Sequence, residues 1–504
     1  MPAPSALPAS EAHQARGGPP RRSRTAARRA VALILVHVAI AAHVAHWKWT
    51  GRTLSPLEPS EAMQTLELGY VNAGFLVFVA LLLLTAVLGR FFCGWACHVV
   101  AYQDFSAWLL GKIGVRPRAI RSRLLLLVPI GAALYMFVWP QVARVLEGRD
   151  LPALAWHLTT DSFWATFPSP AVAAITFLVD GFLIVYLLGG KAFCTYGCPY
   201  GALFAVGDRV APVRIRVTDA CEQCGHCTAT CTSNVRVHAE VARHGMVVDP
   251  GCMKCLDCVS VCPKDALYVG VGRPSLAATG KRAGRRYDLT WPEELFAAAV
   301  FLGALYAFRG LYGLVPFLLA LGLAVIAAFA ALLVLRGLRA PELTLQSSVL
   351  KGRDGWTARG HLVLVAATAL LLLAAHSAWI QFHTREAARL TAAARALPAA
   401  ERDGRVDDAL DHLAAVERYG LVTDERTLNL LSGAHRLRGD HRTAASYLRR
   451  SLRREETTEK LLALSTLEMH LRRTDAAAAA LERVLALEPD HPEALRRLAV
   501  LRRR

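Results

Sequence analysis

Residues 221–231 read C-E-Q-C-G-H-C-T-A-T-C, and residues 252–263 read C-M-K-C-L-D-C-V-S-V-C-P. Both stretches space their cysteines as C-x2-C-x2-C-x3-C. A loop with this spacing wraps three thiolates around one 4Fe–4S cluster, and its fourth cysteine reaches a second cluster. We therefore predict one cluster on Cys221, Cys224, Cys227 and Cys262, and a second cluster on Cys252, Cys255, Cys258 and Cys231.

Two zinc ions or a set of disulfide bonds are the alternative interpretations of these eight cysteines. Zinc sites usually pair C-x2-C units across a longer gap, and cysteines three residues apart in a tight loop are placed for a metal. Both alternatives are therefore disfavoured. The first stretch has Thr232 where the second has Pro263, and neither residue is a ligand.

The segment is similar to bacterial two-cluster ferredoxins, so we expect a small α+β domain at residues 201–275. Alternating runs within it predict short strands. These runs are V-R-V-H at residues 235–238, G-M-V-V-D at residues 245–249 and A-L-Y-V-G at residues 266–270.

The rest of the chain predicts a polytopic α-helical membrane protein. Hydrophobic residues make up 54% of the 504 residues, and a helix of about 20 apolar residues crosses a bilayer. Seven spans are predicted, at residues 30–47, 68–89, 124–143, 162–190, 295–308, 310–335 and 360–384. The spans form a four-span domain at residues 30–200 and three further spans at residues 291–384, and residues 1–29 are predicted to be a disordered basic tail.

Charge predicts the orientation of these spans. With the N-terminus inside, the inner segments hold 30 Lys and Arg residues, and the outer loops before the last span hold 5. Such a bias sets topology. We therefore expect a bacterial cytoplasmic membrane protein whose twelve cysteines all face the reducing cytoplasm, with residues 385–504 outside.

The net charge of +18 raises the question of nucleic-acid binding. The basic residues cluster between apolar runs, which is typical of membrane topology, so no nucleic-acid partner is expected. One basic patch is predicted to contact anionic lipid, formed by Lys281, Arg282, Arg285 and Arg286.

A second cysteine pattern occurs twice where predicted spans end. Residues 89–98 read G-R-F-F-C-G-W-A-C-H, and residues 190–199 read G-K-A-F-C-T-Y-G-C-P, at an offset of 101 residues. Cysteines at positions i and i+4 lie on one face of a helix. The four cysteines are therefore candidates for a third metal centre or for a redox dithiol, with buried inert thiols as the alternative: Cys93, Cys97, Cys194 and Cys198.

Hydrophobic hairpins that end in C-x3-C, followed by a two-cluster block, resemble the membrane polyferredoxins, which include NapH-type quinol dehydrogenase subunits, NosR membrane portions and FixG/RdxA oxidase accessory proteins. The resemblance covers residues 30–270. It implies an electron carrier or a quinol dehydrogenase-type subunit that works between the quinone pool or a cytoplasmic donor and a redox partner. The alternatives are a maturation factor that reduces a metal or thiol for a respiratory complex, and a redox-sensing regulator. The family motif is usually C-x3-C-P, and His98 replaces that proline in the first copy.

Ionisable residues inside predicted spans are functional candidates because burying them in lipid is costly. Asp180 and His37 lie at similar predicted depths. We hypothesise that they flank a quinol and take up its protons. A single buried hydrogen bond between helices is the alternative.

Residues 385–504 predict an all-α domain. Similar segments recur at a spacing near 34 residues, at residues 404–410, 439–445 and 474–481. Together with A-L-E-P-D-H-P-E-A-L at residues 486–495, they are similar to tetratricopeptide (TPR) repeats, which imply a docking surface for a partner protein.

Overall fold

A computed structural model of the chain describes residues 21–115, 117–165, 167–278 and 287–502. The chain divides into two compact units. The first unit comprises Met1–Leu302 and Leu321–Leu370, and the second comprises Gly303–Ala320 and Leu371–Arg504. The predicted lipid-contacting patch of Lys281, Arg282, Arg285 and Arg286 lies outside the described residues, as do the first 20 residues of the predicted tail.

Within the described residues, six helices are long and apolar enough to cross a membrane. They are Arg24–Thr50, Leu125–Leu146, Pro170–Leu188, Trp291–Phe308, Phe317–Arg339 and Ala358–Ala394. Each corresponds to one predicted span. The predicted span at residues 68–89 is instead the 16-residue helix Ala73–Leu88, which is about 24 Å long. Because the hydrocarbon core is about 30 Å thick, a seventh crossing stays a prediction.

The first helix begins earlier than the sequence predicts. It starts at Arg24, where the Ser23 side chain accepts a hydrogen bond from the Ala26 amide at 3.0 Å. Arg29 is buried and forms ion pairs with Asp104 and Asp257. The predicted tail of residues 1–29 is therefore wrong at its C-terminal end, because Arg29 pairs with carboxylates of other segments instead of facing solvent.

Two of the long helices change their winding. Leu125–Leu146 contains the π-helical segment Leu134–Val138. Pro140 lies two residues after this segment and has no N–H to donate to a carbonyl of the preceding turn. Pro170–Leu188 contains the π-helical segment Phe177–Leu183, with Asp180 at its middle. Such segments are rare and frequently occur at functional sites.

The ferredoxin-like segment pairs two strands around a small core. Val213–Val217 pairs antiparallel with Leu267–Val271, as the A-L-Y-V-G run predicts. The strand predicted from V-R-V-H is wrong, because the helix Val237–His244 begins within it. Val237 and Val241 are both buried, and their i, i+4 spacing satisfies a helix as well as the local alternation suits a strand.

The remaining helices and strands of the first unit are short. The helices are Pro59–Glu61, Ala62–Leu68, Phe91–Trp95, His98–Lys112, Ala192–Tyr196, Pro199–Val210, His226–Thr230, Asp257–Ser260 and Ser275–Ala277. Thr53–Leu54 pairs with Thr159–Thr160, and Tyr70–Val71 pairs with Ala155–Trp156. A three-stranded sheet contains Leu343–Leu345, Ser348–Gly352 and Gly355–Trp356.

The second unit is helical in its described residues. After the turn Leu311–Gly313 and the end of the 37-residue helix come Ala399–Tyr419, Glu425–Leu437, His441–Leu452, Thr458–His470, Thr474–Leu487 and Pro492–Arg502. Asp424 and Asp440 cap two of them, each by accepting a backbone hydrogen bond. The predicted repeats at residues 439–445 and 474–481 fall at helix starts, whereas the one at residues 404–410 lies inside a helix. The assignment to TPR repeats stays a prediction.

Candidate metal centres

The two cysteine-rich loops follow the same backbone course. In C-E-Q-C, Gln223 has a φ angle of 54°, and its counterpart Lys254 in C-M-K-C has a φ angle of 50°. The residue after the second cysteine is left-handed in both loops, with φ angles of 83° at Gly225 and 63° at Leu256. Residues other than glycine rarely adopt this conformation. Its recurrence at matched positions indicates that both loops curl in the same way around a centre.

The first predicted set of four cysteines surrounds one recess. Its lining includes Cys221, Cys224, Cys227 and Cys262, together with His226 and Lys264. Cys262 comes from the far end of the second stretch, and it shares this recess with three cysteines of the first stretch. His226 is buried, and within the described residues neither of its ring nitrogens has a hydrogen-bond partner. A cluster in the recess would offer such a nitrogen a sulfur acceptor.

The second predicted set lies deeper in the domain. Cys252, Cys255 and Cys258 are buried. Burial and the nearby thiols of Cys255 and Cys252 raise the pKa of Cys231 to about 12. Cys231 therefore lies among the cysteines of the second stretch, as the crossed ligand pattern requires.

The donor set fits iron–sulfur clusters better than zinc. Thiols with raised pKa values are protonated at neutral pH, so a centre that binds them as thiolates displaces protons. Among the described residues, no three His, Cys, Asp or Glu side chains converge closely enough to hold a single metal ion. Zinc requires its sulfur ligands about 2.3 Å from one point, whereas an iron–sulfur cube spreads its cysteines around a larger core.

Each C-x3-C motif is split between two helices. Cys93 and Cys194 lie in the short helices Phe91–Trp95 and Ala192–Tyr196. Cys97 and Cys198 are the N-cap residues of the next helices, His98–Lys112 and Pro199–Val210. The prediction that each pair lies on one helical face is therefore wrong. In the second copy the physical reason is Pro199, which favours the first turn of a new helix over the continuation of the previous one.

These four cysteines nevertheless lie near one another, and we call them the four-cysteine site. Burial and the nearby thiols of Cys93 and Cys198 raise the pKa of Cys97 to about 12. Burial also raises the pKa of Cys194 well above its usual value, with the thiols of Cys198, Cys97 and Cys93 nearby. The two sequence copies thus build one site from both halves of the repeat.

Two polar side chains complete the four-cysteine site. The buried Arg90 guanidinium lies beside Cys93, Cys194 and Cys198. Gln103 Nε2 donates a hydrogen bond to Cys194 Sγ at 2.8 Å. The cation and the amide donor favour thiolate over thiol, and so partly offset the burial that raises the pKa values of Cys194 and Cys198. Sequence reasoning missed both roles. The only signal was the basic position shared by Arg90 and Lys191 in the repeat.

The first C-x3-C turn packs directly on the loop of the second cysteine set. A β-carbon added at Gly94 would lie 2.2 Å from the Met253 carbonyl oxygen, so only glycine fits. Trp95 Nε1 donates to the Lys254 carbonyl oxygen at 3.0 Å, and Arg90 Nη1 donates to the Pro250 carbonyl oxygen, also at 3.0 Å. The four-cysteine site therefore adjoins the predicted second cluster.

A fully buried carboxylate fixes this junction. Asp208 Oδ1 accepts from Lys254 Nζ at 2.8 Å, and Oδ2 accepts from Arg214 Nη2 at 2.9 Å. The Arg90 amide also donates to Asp208, at 3.2 Å. Breaking such a buried network typically costs about 3–5 kcal/mol. Asp208 was missed in the sequence, where a lone acid in an apolar helix was its only signal.

Two more cations lie beside the second cysteine set. Arg29 and the fully buried Lys191 are both close to Cys255. Asp104 lies 3.0 Å from Arg29 Nη2 and 3.8 Å from Lys191 Nζ, and so partly balances their charge. Positive charge here offsets the negative charge of a thiolate-bound cluster.

Asp180 and His37 have different neighbours in the described residues. The His37 ring meets Tyr102 edge-on, with 5.4 Å between centroids. Asp180 is 6% exposed, and neither carboxylate oxygen has a hydrogen-bond partner in the described part of the chain. A β-carbon on Gly322 would lie 1.9 Å from Asp180 Oδ1. A shared role at a quinone site stays a prediction.

Two family models match the cysteine-rich part of the chain. One, described as a 4Fe-4S binding domain, matches residues 72–116 and 170–217, each of which contains one C-x3-C motif. The other, described as a 4Fe-4S dicluster domain, matches residues 213–263.

Curated relatives match part of the chain. The ferredoxin-type protein NapH of Haemophilus influenzae is 28% identical over 200 residues, which cover 36% of this chain and 63% of that protein. The methylamine utilization ferredoxin-type protein MauN of Methylorubrum extorquens is 30% identical over 188 residues, 35% of this chain and 60% of that protein. The putative electron transport protein YccM of Escherichia coli is 28% identical over 210 residues, 38% of this chain and 54% of that protein.

The chain therefore spans about 60% of the length of the first two relatives. No solved structure matches it. The family models cover both C-x3-C motifs and the eight-cysteine block, and the relatives are the ferredoxin-type proteins that the sequence motifs resemble. The cysteine-rich part of the chain is therefore similar to the ferredoxin-type proteins of the membrane-bound polyferredoxin family.

Proposed function

We propose that this chain passes electrons one at a time between the quinone pool or a cytoplasmic donor and a redox partner protein. The path would run through the four-cysteine site, the second cluster and the first cluster, in that order. The observation that carries the proposal is the contact of Gly94 with Met253, which sets the four-cysteine site against the second cysteine loop.

When bound, the clusters supply the capacity to take up and release single electrons. The chain holds the centres in sequence and shields them from water. Asp208 locks the second loop to the C-x3-C turn through Lys254 and the Arg90 amide. Arg29 and Lys191 place positive charge where a reduced cluster gains negative charge.

The first cluster is the proposed point of exchange with a soluble partner. Lys264 and Glu222 at its rim form an ion pair at 2.9 Å, and both side chains are more than half exposed. The second set is more buried than the first. A partner on the rim would therefore reach the first cluster before any other centre.

A second candidate function is reductive maturation of a respiratory complex. The convergence of four thiols favours it, because two thiols that close to a disulfide deliver two electrons to a metal or to another disulfide. In this alternative the iron–sulfur clusters would re-reduce the disulfide. A redox-sensing role would use the same centres without net electron flow.

We propose an inner-membrane location with the ferredoxin-like segment in the cytoplasm, on the strength of the charge bias between loops. The helical C-terminal region would then lie outside the cytoplasm. Its helix pairs suit the docking of a partner protein if they are TPR repeats.

The decisive experiment is anaerobic purification of the full chain, followed by iron counting, low-temperature EPR and reduction with the quinol analogue duroquinol. About eight iron atoms per chain would support two clusters, and about twelve would support a third. Electron transfer from the quinone pool predicts that duroquinol reduces the clusters. If only dithionite reduces them, the quinol-linked proposal is wrong.

A further inference from the structure

The loop of residues 51–72, between the first two apolar helices, packs against the membrane domain. A β-carbon on Gly74 would lie 2.6 Å from the Glu58 carbonyl oxygen, so the loop is packed closely on the start of Ala73–Leu88. Ala62, from the short helix in this loop, belongs to the same buried cluster as Cys93 and Cys194. A loop predicted to lie outside thus reaches towards the four-cysteine site.

This loop brings a carboxylate to the residue that follows Cys97. Glu58 Oε1 lies 3.5 Å from His98 Nε2, and each side chain is 29% exposed. The His98 ring meets Tyr102 edge-on at 6.1 Å, and Tyr102 in turn meets His37 at 5.4 Å. The predicted intramembrane histidine therefore belongs to this group of side chains.

An unsatisfied hydroxyl lies near Glu58. Within the described residues, the buried hydroxyl of Tyr200 has no hydrogen-bond partner. Its ring packs against Phe78 and Phe137. Burial raises the pKa of Tyr200, with Cys198 and Glu58 among its neighbours. A buried polar group without a partner is costly, so a ligand oxygen at this place would be stabilising.

We propose that a quinol headgroup binds between Glu58, His98 and Tyr200, and that Glu58 takes its protons. This inference rests on the proposed quinol-linked electron transfer and assigns its site. The Tyr200 hydroxyl would donate a hydrogen bond to one quinol oxygen, while His98 would hold the Glu58 carboxylate in place.

The reaction balances with groups that the proposal names. The quinol loses two O–H protons and two electrons and becomes a quinone. The electrons pass singly to the oxidised iron–sulfur centres of the chain. The protons pass in turn to the Glu58 carboxylate and leave along the loop of residues 51–72, on the side opposite the ferredoxin-like segment.

Binding is tested without turnover. Titration of the full chain with the fluorescent quinol mimic 2-heptyl-4-hydroxyquinoline N-oxide gives a dissociation constant by fluorescence quenching. Glu58→Gln removes the charged acceptor and is expected to weaken binding about tenfold. Glu67→Gln, an exposed carboxylate on the same loop, is the matched control and should bind like the unaltered chain.

Stopped-flow reduction by duroquinol provides the second readout. Glu58→Gln should slow cluster reduction at least about tenfold, with the dithionite-reducible cluster content unchanged. Equal binding and equal rates in Glu58→Gln and the unaltered chain would overturn this site and leave the proposed function standing. Failure of duroquinol to reduce the unaltered chain would overturn the proposed function itself.

If Glu58→Gln loses its clusters, the variant Tyr200→Phe tests the proposed quinol site instead. This variant removes one hydroxyl that has no partner within the described residues, so the fold should persist. Several-fold weaker binding of the mimic would support the site, and unchanged binding would overturn it.

Discussion

Gly94 stands between the two cysteines of the first C-x3-C motif and touches the backbone of the second cysteine loop. Gly94→Ala would place a β-carbon 2.2 Å from the Met253 carbonyl oxygen. Because the Met253 carbonyl belongs to the backbone, it cannot move aside cheaply, and we expect a loss of about 1–3 kcal/mol of stability. Thermal unfolding in detergent measures this loss, and iron content shows whether the second cluster is lost with it.

Gly111→Ala is the matched control for this prediction. Gly111 lies in the next helix, with nothing within 4 Å of an added β-carbon. It should unfold at or slightly above the temperature of the unaltered chain, since alanine favours a helix over glycine. Equal stability of the Gly94 and Gly111 variants would contradict the close contact.

For single residues, the sequence predicts candidate ligands but not the side chains that surround them. The C-x2-C-x2-C-x3-C spacing alone predicts that Cys262 and Cys231 each bind the cluster of the other loop, because this spacing is read within each loop. The contact of Gln103 with Cys194 and that of Glu58 with His98 join segments that are far apart in the chain. No local pattern encodes such pairs, so they emerge only from the folded chain.

Each cysteine loop is predicted to give its fourth cysteine to the cluster of the other loop, and this exchange is directly testable. Cys262→Ala removes the fourth ligand of the first set, and Cys231→Ala removes that of the second. We expect Cys262→Ala to abolish the EPR signal of the exposed cluster while the buried one persists, and Cys231→Ala to do the reverse. If Cys262→Ala removes the signal of the buried cluster and Cys231→Ala that of the exposed one, each fourth cysteine has been assigned to the wrong set.

Helices and strands are predictable from the sequence where a single physical requirement determines them. The long apolar helices are predictable because lipid demands internal hydrogen bonding. The division of each C-x3-C motif between two helices is not predictable from the sequence, because a five-residue helix followed by an N-cap cysteine has no periodic pattern. The V-R-V-H run wrongly predicts a strand for a similar reason, since Val237, which contributes to the alternation, also lies on the buried side of the helix Val237–His244.

For the whole molecule, the contacts order the centres along one direction. The four-cysteine site touches the second cysteine loop through Gly94. The second set is more buried than the first, whose rim carries Lys264 and Glu222. The proposed quinol site at Glu58 lies at the other end. Electrons and protons would therefore separate, with electrons moving towards the ferredoxin-like segment and protons towards the loop of residues 51–72.

That separation has an energetic meaning only if the two ends face different compartments. The 30 basic residues of the inner segments, against 5 in the outer loops, predict that they do. Alkaline phosphatase fused after Arg504 should be active and a green fluorescent protein at the same place dark, because the C-terminus is predicted to lie outside. The same reporters fused after Arg273, in a chain truncated there, should show the opposite pattern. Active phosphatase at Arg273 would put the clusters outside the reducing compartment, and the protons released at Glu58 would then enter the cytoplasm instead of leaving it.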